Sequence, residues 1–164
     1  ILEGELRHAD ALGNHGVIRA GDVQRMSAGT GIVHSEINAS DMSTRLFQIW
    51  IEPAEYQIAP SYEQQSFNPG QKQTVLVSPN KQGNTLFINQ QVTIVRHQLS
   101  KDETWESPAS DMDSCILVGR GSTAFNQQIL PTGTAIEMTS DESAIIFTAQ
   151  EPTELYEIAW PSSL

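Results

Sequence analysis

The chain has 164 residues, 38% hydrophobic and 18% charged, and a formal net charge of -11. That length allows one ordinary domain or two small ones and is enough to bury a real core. Neither a run apolar enough for a membrane helix nor a signal-peptide pattern occurs, and no Lys/Arg cluster offsets the acidic balance, which argues against membrane embedding and direct nucleic-acid binding.

Short strands separated by turns are expected along the whole chain. ILEGELRH alternates and places Leu2, Leu6 and His8 on one strand face. It opens at Ile1 in mid-strand and without Met, so a natural N-terminal segment is expected to be missing. Gly13 to Gly16 is a turn, and Gly21-Asp22 is a hairpin turn inside VIRAGDVQRM. GIVHSEIN is a further strand. TRLFQIWI, Thr44 to Ile51, is rich in branched and aromatic residues and is expected as a strand with one face in the core. Beyond Pro53 the alternation is lost, and residues 56–72, with Pro60, Pro69 and Gly70, read as a linker or crossover.

A second series of strands follows in TVLVSP, LFIN, QVTIVRHQL, DSCILVG, STAFN, TAIEMTS, SAIIFTA and LYEIAW, with turns at Asn80 to Asn84, Gly119 to Gly121 and Pro131 to Gly133. No segment has a helical period of useful length. The pattern predicts an all-β sandwich or barrel class in two β-rich halves. The lone Cys115 lies in the apolar run DSCILVG. It reads as a buried spacer and fits a reducing, cytoplasmic setting.

The chemistry-bearing stretch is MSAGTGIVHSEIN. In a strand Ile32, His34, Glu36 and Asn38 share one face. Imidazole and carboxylate together suit a transition metal, and the run Ala28, Gly29, Thr30, Gly31 before them permits a tight turn and close backbone approach. Spacing alone favours the plainer reading, an exposed or hydrogen-bonded His and Glu, because most histidines are not ligands. His8 either lines the barrel near this pair, as a substitute ligand or a donor that orients one, or is a satisfied barrel histidine, the stronger alternative. His15 reads as solvated, and His97, with no carboxylate at strand spacing, as structural or exposed. Trp50 reads as a core residue before it reads as a pocket wall. Glu52, Glu55 and Glu63 read as solvated charges and Ser140 to Ser143 as a polar turn. Nucleophile-elbow, Walker and GxGxxG motifs do not occur.

Several pieces occur in order: LEGE, then H-x-D-x-x-GN, then GDVQ-x-MSAGTGI-x-HSE, then LFQIWI-x-P, with YEQQSF and LVSP downstream. Together they resemble the pirin family of bicupins, especially bacterial members described as quercetin dioxygenases. The resemblance is specific in the first third and looser after Lys72. It implies a cupin-superfamily fold with two β-barrel domains. Residues 1–55 would form a truncated N-terminal cupin domain with the HSE motif, and 73–164 a C-terminal cupin-like domain without metal ligands. It also implies one transition-metal ion, iron first, with His34 and Glu36 as ligands, Glu36 doubling as the base for a flavonol hydroxyl. The family's two other ligands belong to an HxH motif upstream of LEGE, and no HxH occurs here. The truncated chain is therefore expected to be impaired as a dioxygenase and to expose apolar surface and strand edges, which a partner or a second copy could cover. The alternatives are a redox-sensing regulatory or protein-binding module and an inactive metal-free fragment.

Overall fold

The structure, a computed structural model, describes residues 1–81, 83–107, 111–141 and 144–163. Among them fifteen strands form: β1 (Glu5–Asp10), β2 (His15–Arg19), β3 (Asp22–Ser27), β4 (His34–Ile37), β5 (Ser61–Ser66), β6 (Gln73–Ser78), β7 (Leu86–Phe87), β8 (Thr93–Leu99), β9 (Thr104–Ser107), β10 (Met112–Arg120), β11 (Ser122–Phe125), β12 (Gln128–Pro131), β13 (Ala135–Met138), β14 (Ile145–Ala149) and β15 (Thr153–Pro161). The all-β expectation holds. Among the described residues no helix is long and apolar enough to cross a membrane. Two compact units form, Ile1–Pro69 with Asn80–Gln90, and Gly70–Pro79 with Gln91–Leu164.

In the first unit β1 is the centre of an antiparallel sheet in the order β2-β1-β4, and β3 pairs with β5. The alternation read in the first strand is real. Leu2, Leu6 and His8 are buried, and Leu6 lies opposite the buried Ile18. The Gly21 turn forms at φ +89°, but it does not close a hairpin, because the strands it joins belong to different sheets. The strand β5 lies within the stretch 56–72 that was expected to be a linker. Glu63, expected to be solvated, is 3.1 Å from the Arg25 guanidinium and 3.0 Å from the Lys81 ammonium.

The strand expected over Thr44 to Ile51 does not form beyond one bridge between Arg45 and Glu3. Strand propensity only prepares a segment for a ladder, and residues 46–51 have no partner ladder here. Neither of its faces is core, and Trp50 is 88% exposed. Val33, Ile37, Met42 and Tyr56 of the same unit are also exposed.

In the second unit one sheet runs β13-β10-β15-β8-β6 and another β12-β11-β14-β9. Leu99, Ile116, Val118, Met138, Phe147, Ala149 and Leu155 form its core, and Trp105, Phe125 and Ile136 pack on it. Phe147 stacks on both Trp105 and Phe125, with ring centroids 5.4 and 5.6 Å away. The strands β9 and β12 escaped sequence reading because TWES and QILP are short and lack clear alternation. His97 is buried and does have a carboxylate partner. Glu157 comes across from β15, 2.9 Å from its Nε2, and the Trp105 ring packs 4.1 Å from the imidazole. Of the polar turn expected at Ser140 to Ser143, Glu142 and Ser143 lie outside the described residues.

Candidate metal centre

The small-residue run enters β4 through a close backbone approach. Gly29 has φ +52°, and a Cβ there would lie 2.1 Å from the Ile58 carbonyl oxygen, which accepts a hydrogen bond from the Thr30 amide at 3.0 Å. Only glycine tolerates both conditions. The turn closes with the Gly31 amide donating to the Ala28 carbonyl at 2.8 Å, and the chain then pairs with β1.

The register of that pairing creates the cluster. Glu36 lies directly opposite His8, and His34 directly opposite Asp10. Cross-strand neighbours have side chains on the same face, so the HxE pair of one strand meets the HxD pair of the other. One ligand atom from each of His8, His34 and Glu36 lies within 4.8 Å of the other two. His34 is exposed, the Glu36 side chain is 24% exposed and His8 is fully buried. The Nδ1 of His8 has no hydrogen-bond partner and lies 3.8 Å from Glu36 Oε1. Its Nε2 is 3.1 Å from Asp10 Oδ2, and Tyr62 stacks on its ring, with centroids 4.5 Å apart and planes 19° from parallel. The Gln24 side-chain amide donates to Glu36 Oε1 at 2.5 Å.

Asp10 is held as a carboxylate. Burial pushes its carboxyl up, but hydrogen bonds from the Asn14 side chain, His8 and the Asn14 and Leu12 amides outweigh this and bring it to about 2. Burial, followed by the negative charges of Asp10, Glu36 and Asp22, raises the Tyr62 phenol above its ordinary value. Tyr62 therefore stays neutral near pH 7, and its hydroxyl donates to Gln64 Oε1 at 3.0 Å.

Residues 1–51 match the family Pirin, and residues 75–156 match the family described as Quercetinase C-terminal cupin domain. A protein of Escherichia coli K12 named quercetin 2,3-dioxygenase is 36% identical over 157 residues, which cover 94% of this chain and 68% of the relative. This chain belongs to the pirin family. A pirin-like protein of Caulobacter vibrioides is 34% identical over 162 residues, again 94% of this chain and 68% of the relative. The crystal structure of the bacterial pirin YhhW from Escherichia coli in complex with nickel(II) superposes with a TM-score of 0.87 at 36% identity, over 98% of this chain and 69% of that one. The pirin and cupin expectations from the sequence are thus met.

Of the other residues considered in the sequence, His15 is exposed at the start of β2, with its Nδ1 3.1 Å from the Gly13 carbonyl oxygen. Cys115 is half-buried, and burial followed by the nearby Glu137 charge raises its thiol. Sequence reasoning assigned no role to Asp10, Gln24 or Tyr62. Asp10 was within reach, because it follows His8 by two and must share its face. Gln24 lies in the quoted GDVQ piece, but only the pairing of sheets shows what it touches. Tyr62 gave no signal, since its strand was read as a linker.

Proposed function

We propose that His34, Glu36 and His8 hold one divalent transition-metal ion, iron first, and that the chain acts in the cytoplasm as a pirin-type dioxygenase on a flavonol such as quercetin. The observation that carries this reading is the cluster itself, with an orphaned, buried His8 Nδ1 turned towards a carboxylate and a second imidazole. Two imidazoles and one carboxylate are the donor set of non-haem iron oxygenases, and they also suit nickel. An ion about 2.1 Å from each ligand atom spans at most about 4.2 Å between ligands. The cluster, within 4.8 Å, needs only a small movement of the exposed His34 to fit.

A bound ion supplies Lewis-acid polarisation of an oxygen ligand and a centre able to exchange electrons. The protein's own residues do the rest. Glu36 takes the proton of the flavonol hydroxyl, a role that requires hydrogen-bond reach to that proton. Gln24 occupies Oε1, so the second carboxylate oxygen is the one available to substrate. The fully buried His8, with the half-buried Tyr62 stacked on it, backs the cluster, and the exposed side of His34 and Glu36 gives access from solvent.

A non-enzymatic reading as a protein-binding regulator is favoured by one observation. Val33, just before the strand that carries the HxE pair, and Ile37, within it, are exposed. A second copy of the chain could cover the same surface. Oxygen uptake with quercetin in the metal-loaded protein separates these readings. Turnover that disappears in Glu36→Gln supports the enzyme. A metal-loaded protein without turnover points to the regulator, and a protein that takes up no metal points to an inactive fragment.

A further inference from the structure

The Asp10 carboxylate is enclosed by donors. Its Oδ1 accepts from the Leu12 amide at 2.9 Å and the Asn14 amide at 3.0 Å, and its Oδ2 accepts from the Asn14 side-chain amide at 2.9 Å. A group held by so many N–H donors accepts and does not donate. The contact of 3.1 Å between Oδ2 and His8 Nε2 therefore requires the imidazole to carry its proton on Nε2. In a neutral ring that leaves the lone pair on Nδ1. This atom is buried without a hydrogen bond, and its 3.8 Å to Glu36 Oε1 is too long for one. Stacking on Tyr62 fixes the plane of the ring.

We propose that Asp10 is a positioning residue that fixes the His8 tautomer with the proton on Nε2 and the lone pair on Nδ1, aimed at His34 and Glu36. Its consequence for metal binding rests on the reading of the cluster given above, but the tautomer itself does not. Ligating histidines commonly donate their other ring N–H to a carboxylate, which orients the ring and raises its basicity.

The substitution Asp10→Asn tests this directly. The Leu12 and Asn14 amides keep the side-chain oxygen at the Oδ1 position, where the Asn14 side-chain amide, 3.2 Å away, also donates. The new amide nitrogen at the Oδ2 position gives up the bond from that side chain and donates to Nε2. The ring proton must then move to Nδ1, which removes the lone pair from the cluster. Nitrogen-15 NMR of the metal-free protein reads the two tautomers, and nickel(II) titration reads the effect on the site. The expected result is an Nε2–H pattern in the unmodified protein, a change to Nδ1–H in D10N, and nickel affinity lower by roughly 10- to 100-fold in D10N. An Nδ1–H pattern, or protons on both nitrogens, in the unmodified protein overturns the proposal, and this measurement stands even if D10N does not fold. Tight nickel binding by both proteins with an unchanged NMR pattern also overturns it. The expected tautomers without nickel binding to either protein support the role of Asp10 and count against the metal reading instead.

Discussion

Glu36 is the residue on which the contacts of the cluster converge. It faces His8 across the strand pair, receives the Gln24 amide and remains partly open to solvent. The amide holds one carboxylate oxygen in place, so Gln24→Leu is expected to weaken nickel(II) binding by roughly tenfold while leaving the fold intact, as titration and circular dichroism would report. The identity of His34 and Glu36 as a same-face pair was legible from their spacing alone. Their meeting with His8 was not, because a cross-strand partner depends on register, which no local pattern in the sequence fixes. The same limit hid the partner of His97. Glu157 lies sixty residues further along the chain, yet it comes within 2.9 Å in the folded sheet.

At the scale of elements, the turn into β4 and the ladder between β3 and β5 each support the cluster. The substitution Gly29→Ala places a Cβ against the Ile58 carbonyl in a left-handed conformation. It is expected to cost at least about 1 kcal/mol in a denaturant titration. Glu63 is partly exposed within its ladder. Burial pushes its carboxyl up, but hydrogen bonds from Lys81 and Arg25 outweigh this and leave it below its ordinary value of 4.5. A carboxyl lowered by folding adds stability above its unfolded value, and that stability is lost as pH falls through the folded value. Glu63→Gln should therefore lose less melting temperature than the unmodified protein between about pH 6 and about pH 3. An equal loss in both would show that the two cations contribute nothing. The stretch Thr44 to Ile51 shows where reading elements from composition fails. Its residues suit a strand, but a strand needs a neighbouring ladder, and among the described residues only the Arg45 bridge forms there.

Over the whole molecule the all-β class and two β-rich halves could be read from turn spacing and strand composition, and the quoted motifs resembled the pirin family. How the segments are shared between the two units could not be read that way. Gly70–Pro79 and Asn80–Gln90 are exchanged relative to chain order, and no local pattern in either segment signals it. The second unit has a core of its own, centred on the fully buried Phe147 between two aromatic rings. Phe147→Ala should destabilise that unit by about 3–5 kcal/mol, read as an early unfolding transition. His97→Ala removes the 2.9 Å hydrogen-bond partner of the Glu157 carboxylate in a largely buried site and should cost about 1–3 kcal/mol in the same measurement.

On the reading proposed above, three side chains on two paired strands hold one metal ion. Calorimetric titration of the metal-free protein with nickel(II), beside His8→Ala, His34→Ala and Glu36→Ala, tests it most directly. One ion per chain is expected in the unmodified protein, with a loss of at least about tenfold in affinity for each variant. Binding that survives unchanged in His8→Ala, or no binding to the unmodified protein, would contradict it.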